Sequence, residues 1–431
     1  GQMTKALILG WPDRPAYVDH NTFAIRGQQL SLDMTTESVE VPGEGMLRFY
    51  NDQDLDGRSL RKPIPVVVAW DRQMWLRGQE DAGTFTGNVR VTSENNVLEA
   101  QEMRLRFSPA PKAEVSASAP AAGIPRLLAS MARGARDADR RPQNSAPIQR
   151  VRKRLERLDA FGDAVILSSA YQEPAPQTTA VARFVASLVP EALLAPAPQP
   201  TPSPGSSRLL SRVRLAGPRM RIDLAEEQLL VEGEGNLLVE DYRLPTSGTR
   251  RQTAAAGFLS GDALPGLDGG GGPSQTLFTW ENSMTFLNKN NIAVFDRKVV
   301  MRHRAGEEMV LAGQLEAALK LDEAVRRRIR SRTANLTCDN LRAEFQRNPS
   351  RKRLDSSPLS QATSLHGFRA WGNVYLMDHD TKAQRTASGT IIAYNRASGL
   401  VEVGGSASRQ AVIEETDAAT GRLNGHWNGD S

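Results

Sequence analysis

The chain has 431 residues, of which 39% are hydrophobic, which is enough for roughly two or three domains with buried cores. Its 54 Lys and Arg residues nearly balance 49 Asp and Glu residues, so the formal net charge of +5 excludes a uniformly basic, polyanion-binding surface. A single cysteine, Cys338, excludes an intrachain disulfide, and the sequence has no apolar run long enough to span a membrane as a helix.

From the N-terminus onward, apolar residues alternate with polar ones, which predicts half-buried β-strands. In the segment Met103–Phe107, for example, two arginines separate three apolar residues. The same two-residue period occurs at Leu30/Leu32, Val39/Val41, Val89/Val91, Met220/Ile222/Leu224 and Val401/Val403. Asn-rich and Gly-rich turns, such as 94–96 and 397–399, separate these strands.

The strands recur as copies. Residues 27–47 match 217–237 without a gap, and a third copy begins at Gly389. Further matches follow in the same order: 70–91 with 280–301, 100–107 with 338–345, and 158–163 with 368–373. Ordered matches of this kind indicate a repeat architecture.

Biased composition separates the copies. The segments 108–150, 171–208 and 246–275 are rich in Ala, Pro, Ser or Gly, and we expect them to be flexible insertions. The first β unit covers 1–107, which includes N-terminal strands of a preceding unit, and its closing strands lie at 151–170, after the insertion at 108–150. After the insertion at 171–208, the second unit covers 209–245 and 276–377, which the insertion at 246–275 separates. A partial third unit covers 378–431.

Helical patterns are weak. The best candidates are Ile148–Leu158, whose end belongs to a repeated strand pattern, and Glu316–Arg332, which we expect to be the one helix between strands.

Several short motifs carry a family resemblance. Gly-Asn-Val-Arg-Val (87–91) and Gly-Asn-Val-Tyr-Leu (372–376) are followed by Leu-Glu-Ala-Gln-Glu-Met-Arg-Leu (98–105) or Ala-Ser-Gly-Thr-Ile-Ile-Ala-Tyr (387–394), and Leu-Val-Glu-Val-Gly-Gly (400–405) closes the last copy. This order resembles the OstA-like family of periplasmic lipopolysaccharide-transport proteins. The resemblance implies an all-β fold of tandem open, twisted antiparallel β-jellyrolls whose apolar groove carries acyl chains between membranes.

The resemblance also implies the chemistry of the site. We expect an envelope-associated, non-enzymatic protein with no cofactor and no metal, whose partners are lipopolysaccharide or another envelope lipid and other β-groove proteins that pair head to tail. The candidate groove residues are Val89, Val91, Met103, Leu105, Phe107, Met220, Ile222, Leu224, Ile392 and Tyr394.

Other functions remain as alternatives. A β-repeat scaffold without a lipid would pack its interior shut, and a carbohydrate-active β-enzyme would need clustered carboxylates that the sequence does not display. The basic runs Arg150–Arg157 and Arg326–Arg332 predict solvated faces, because no aromatic residues interleave with them as a nucleic-acid platform requires. Asp378-His379-Asp380 has metal-ligand residue types but is predicted to form a turn.

Small details of the core and of the termini are also predicted. Trp70, Trp280 and Cys338 are expected to be buried. The strands at Ala6–Leu9 and Ala16–Val18, like the partial copy after Gly389, are expected to leave unpaired edges at both ends.

Overall fold

The structure, a computed structural model, describes residues 4–11, 13–20, 23–53, 59–93, 95–109, 153–171, 209–242, 273–306, 332–347, 362–395 and 400–429. Within these residues the chain forms 23 β-strands, all paired antiparallel, and no α-helix. The all-β prediction is therefore confirmed. The predicted insertions lie almost entirely outside the described residues.

The strands are β1 (Lys5–Leu9), β2 (Ala16–His20), β3 (Phe23–Gly27), β4 (Gln29–Asp33), β5 (Ser38–Pro42), β6 (Gly45–Gln53), β7 (Ser59–Trp70), β8 (Gln73–Arg77), β9 (Ala82–Ser93), β10 (Asn96–Pro109), β11 (Lys153–Tyr171), β12 (Leu209–Asp223), β13 (Gln228–Glu232), β14 (Gly235–Asp241), β15 (Ser274–Trp280), β16 (Ser283–Leu287), β17 (Ile292–Ala305), β18 (Arg332–Arg347), β19 (Ala362–Asp380), β20 (Ala383–Asn395), β21 (Leu400–Gly404), β22 (Ala411–Asp417) and β23 (Leu423–Gly429).

Eight long strands, β9 to β12 and β17 to β20, hold two sets of short strands together. One end of each long strand pairs into a sheet that we call wall 1. This sheet also contains the short strands β1, β4, β5, β8, β13, β16 and β21. The other end of each long strand pairs into a second sheet that we call wall 2. This sheet also contains β2, β3, β6, β7, β14, β15, β22 and β23. Phe278 of wall 2 stacks on Phe295 of wall 1 with ring centroids 5.0 Å apart, so the two walls face each other.

The long strands change walls at bends where their register shifts. In β11 the shift lies between Phe161 and Ala164, at Gly162 and Asp163, which both have positive φ. β19 has the same feature at Gly372 and Asn373. Glycine and asparagine tolerate this left-handed conformation better than other residues, which explains the Gly-Asn and Gly-Asp pairs in these strands.

Equivalent contacts occur in the two regions that match in sequence. The Trp70 indole N–H donates to the Gly43 carbonyl over 3.1 Å, and the Trp280 indole N–H donates to the Gly233 carbonyl over 3.0 Å. In both regions a glycine, Gly45 or Gly235, leaves the space that the indole ring occupies.

The buried core consists of the residues that point between the walls. Trp70 and Trp280 are buried and tilt against phenylalanine rings, as predicted from sequence. Cys338 is also buried, as predicted, and burial raises the pKa of its thiol to about 12, with a further contribution from the charge of Asp339. β9 ends at Ser93 and β10 begins at Asn96, and Asn95 is in a turn, as predicted.

Three predictions from sequence are wrong in part. Residues 153–158 of the first helix candidate form the start of β11, where they pair with β10. Arg332, the end of the second helix candidate, begins β18, and 316–331 lie outside the described residues. Asp378 and His379 belong to β19, which ends at Asp380, so this triplet is not a turn.

Candidate functional site

The inner face of wall 1 is apolar from its first strand to its last. Cross-strand partners follow one another in a single row, which runs through Ala6, Leu32, Val39, Leu76, Gly83, Leu105, Leu158, Ile222, Leu229, Phe286, Ala293, Ala343, Phe368, Tyr394 and Val401. Because neighbouring strands lie about 4.8 Å apart, this row forms a continuous hydrocarbon surface along the molecule.

Wall 2 carries a second apolar row. It runs through Val18, Ile25, Leu47, Val68, Val91, Leu98, Ile166, Leu215, Leu237, Phe278, Met301, Leu336, Leu376, Ala387, Ile413 and Trp427. The two rows line the space between the walls, which is the position expected for the predicted groove.

Eight of the ten predicted groove residues belong to the core between the walls or pack against it, at different depths. Val89, Met103, Met220, Ile392 and Tyr394 are buried at no more than 3% exposure. Val91, Leu105 and Ile222 are partly buried and pack against the core, and Phe107 and Leu224 are partly buried as well. Leu224 is not in a strand: it follows β12 in a turn, where its N–H donates to the Glu156 carbonyl over 2.9 Å.

A second row of wall 2, next to the apolar one, is polar toward the C-terminus. Its cross-strand order is Val213, Val239, Thr276, His303, Ala334, Asp378, Arg385 and Glu415. The inner surface of wall 2 therefore changes from aliphatic to charged between β12 and β22.

An ion-pair cluster lies at the charged end of this row. The Arg332 guanidinium donates through Nε to Asp378 Oδ1 over 2.6 Å and through Nη2 to Asp378 Oδ2 over 2.5 Å, and both side chains are about 95% buried. Arg385 lies 3.5 Å from Asp378, 3.2 Å from Asp380 and 2.9 Å from Glu415. Two cations thus meet three carboxylates.

The environment of Asp380 and Arg385 keeps both charged. Burial alone would raise the pKa of Asp380, but N–H donors of Lys382 and Ala383 and the charge of Arg385 hold that pKa below its ordinary value. Burial would lower the pKa of Arg385, but the hydrogen bond that its Nε–H donates to Glu415 and the charges of Asp380, Glu415 and Asp378 raise it. Asp380 and Arg385 are therefore both charged at neutral pH.

His303 lies in the same row and is also buried. Its Nδ1 is 2.9 Å from the Thr276 hydroxyl, whereas its Nε2 is buried without a hydrogen-bond partner among the described residues. Burial, with a smaller contribution from the charge of Arg332, lowers its pKa to about 4. The imidazole is therefore neutral at physiological pH.

An aromatic side chain adjoins the ion-pair cluster. Trp427 of β23 is opposite Ile413, and its indole ring lies over Gly425, which is the cross-strand partner of Glu415. The Trp427 side chain is about half exposed, so a flat apolar surface borders the carboxylate on the inner side of wall 2.

A cavity of about 430 Å³ lies at the margin of wall 1. Its lining includes Phe368 and Tyr394, whose rings are 5.8 Å apart and which belong to the apolar row. Glu344, Arg369 and Glu402 add charges around them. This is a candidate entrance beside one predicted groove residue, Tyr394.

Sequence reasoning missed the ion-pair cluster. Arg332 was assigned to a solvated basic run, and Asp378 and Asp380 were assigned to a turn, whereas all three are brought together by β18 and β19. A usable signal was present: Arg332, Ala334 and Leu336 alternate in the same phase as the buried residues of β18.

Two further properties bear on the candidate site. Among the described residues, no three His, Cys, Asp or Glu side chains are grouped closely enough to hold a metal ion. The described part of the chain contains no helix with the length and apolarity needed to cross a bilayer.

The chain was compared with protein-family models, with curated proteins and with solved structures, and none of the three comparisons gives a match.

Proposed function

We propose that this chain is an envelope lipid-binding protein of the OstA-like type, in which tandem β-jellyroll units carry the acyl chains of a lipopolysaccharide-like lipid between the two walls. The observation that carries the proposal is the pair of apolar rows, which continue across every wall 1 strand from β1 to β21 and every wall 2 strand from β2 to β23. A continuous hydrocarbon surface is the property that a carrier needs, because each methylene buried on it contributes about 0.8 kcal/mol.

The partly buried members of the rows support a place for the ligand. Val91, Leu105 and Ile222 belong to β9, β10 and β12, and each retains some exposure although each points inward. We place the first acyl-chain contacts at these residues.

A photo-crosslinking amino acid tests the proposal. At Leu105 it should capture lipopolysaccharide from envelope extracts. At Arg104, which precedes Leu105 and faces outward, it should not. Equal capture at both positions, or capture at neither, would rule out an acyl groove at this site.

The second candidate function is a structural β scaffold without a lipid ligand. The nearly complete burial of Val89, Met103, Met220 and Ile392 favours it, because these inner residues already pack against protein. The same crosslinking series separates the two functions, since a closed scaffold would yield no lipid adduct at any inner position.

Pairing with other β-groove proteins is the partner interaction that we propose. Within the described residues β1 pairs only with β4 and β2 only with β3, while β21 pairs only with β20 and β23 only with β22. Each end therefore offers one edge per wall, and such edges add strands readily.

Light scattering across a concentration series tests this pairing. We expect the mean mass to grow with concentration, and a proline at Val403 in β21 should suppress the growth. A chain that remains monomeric at high concentration would exclude head-to-tail assembly.

A further inference from the structure

We propose that the charged end of wall 2 is a saccharide-binding site that takes the hydroxyl-rich head group of an amphiphile. The site consists of Asp380, Arg385, Glu415 and Trp427, which lie on the inner side of β19, β20, β22 and β23. The inference rests on the proposed function in one respect: the hydrocarbon part of the same ligand lies on the apolar rows.

The polar cluster departs from its surroundings. Every position of the adjoining row, from Leu215 to Ile413, is apolar, whereas the cluster brings five acidic and basic side chains to the same interior. Replacing a buried ion pair with apolar residues is often neutral or stabilising, so packing alone gives no reason for charges at these positions.

Members of the cluster differ in whether they can reach a ligand. Arg332 and Asp378 are almost fully buried, and their bidentate pair holds Asp378 beside Arg385. Arg385, Asp380 and Glu415 retain 21%, 27% and 24% side-chain exposure. The buried pair therefore acts as a positioning element, and the three partly exposed groups are the ones that can contact a ligand.

The chemistry of these side chains complements that of a sugar. Carboxylates accept hydrogen bonds from hydroxyl groups, and a guanidinium donates to hydroxyl oxygens, so Asp380, Glu415 and Arg385 match a ligand that carries several hydroxyls. Among the residues that the structure describes, three carboxylates against two guanidiniums leave an excess of negative charge in the cluster. A phosphate placed here would meet that excess, whereas a neutral sugar would not.

Trp427 gives the site an aromatic surface. Its ring lies over Gly425, directly opposite Glu415, and about half of the residue is exposed. The C–H face of a sugar ring is apolar and packs on such a ring while its hydroxyls reach the neighbouring charges. Gly425 permits this arrangement, because a Cβ at that position would collide with the indole.

The geometry also gives the groove a direction. The inner margin of wall 2 is aliphatic at Val213 and Val239 and becomes charged from Asp378 to Glu415. An amphiphile would therefore bind with its chain toward β12 and its head toward β22.

Two detergents with the same chain test the site: dodecyl maltoside and dodecyl phosphate, titrated calorimetrically into the full chain below their micellar concentrations. We expect the maltoside to bind about tenfold more tightly than the phosphate. Glu415→Gln and Trp427→Ala should each remove most of that preference. Glu415→Gln should also raise the affinity for the phosphate, because it removes one carboxylate charge.

The chain offers matched controls. Glu414 is the next residue in β22 and pairs with His426 on the outer side, and Trp75 is similarly exposed but lies on β8 in contact with Arg77. Glu414→Gln and Trp75→Ala should keep the full preference for the maltoside.

The outcomes are distinguishable. Equal affinity of the unaltered chain for both detergents, or equal effects of the Glu414 and Glu415 substitutions, would overturn the saccharide site and leave acyl-chain binding intact. Absence of binding for both detergents would overturn the proposed lipid function together with the site.

Discussion

Acidification should destabilise this protein through His303. The side chain is 3% exposed, and burial together with Arg332 lowers its pKa from 6.5 to about 4. The folded protein therefore binds this proton less tightly than the unfolded chain does. The contribution of His303 to the free energy of unfolding is fully present above about pH 6.5. It is lost as the pH falls from there to about 4, and it does not change further at lower pH.

The size of the effect follows from the difference between the two pKa values. One pKa unit corresponds to about 1.4 kcal/mol, so His303 should account for a loss of about 3 kcal/mol between the two limits. No discount for solvent screening applies, because the imidazole is buried against Thr276 and close to Arg332.

Urea unfolding followed by far-ultraviolet circular dichroism measures this loss. The free energy of unfolding is determined for the unaltered chain and for His303→Gln at a series of values between about pH 7 and about pH 4. The substituted chain should lack the decline that His303 causes in the unaltered chain. If both chains lose stability in parallel over this range, the buried neutral histidine is not the cause and the reasoning is refuted.

Three more perturbations follow from the same packing. Asp378→Asn should cost about 3–5 kcal/mol in urea unfolding, because it leaves the buried charge of Arg332 without its carboxylate. Gly235→Ala should cost about 1–3 kcal/mol in the same assay, because the added Cβ would overlap the Trp280 ring. Cys338 should react with a thiol reagent only after unfolding, because burial raises its thiol pKa to about 12; rapid labelling of the native chain would contradict its position.

Two matched substitutions serve as controls for Asp378→Asn and Gly235→Ala. Glu344→Gln removes the exposed pair with Arg342 and should change stability by no more than about 0.5 kcal/mol. Gly404→Ala places its Cβ 3.8 Å from Ile391, an ordinary contact, and should be tolerated. An equal cost for Gly404→Ala and Gly235→Ala would show that the indole contact is not the cause.

The sequence by itself determined the strand class and the inward residues. An alternation such as Met103, Leu105 and Phe107 is decided locally, because successive side chains of a strand point to opposite faces. The burial of Cys338, Trp70 and Trp280 was also predictable from the sequence, because equivalent positions of the repeated copies have equivalent neighbours.

Only the tertiary structure decided which inward residues are polar and what they contact. Arg332 and Glu415 are far apart in sequence and are brought within one cluster by the pairing of β18 with β19, β19 with β20 and β20 with β22. Local periodicity could not reveal that pairing, because it fixes the face of a strand but not its neighbour or its register. Register between distant strands depends on the bends at residues such as Gly162 and Gly372, which send each long strand from one wall to the other.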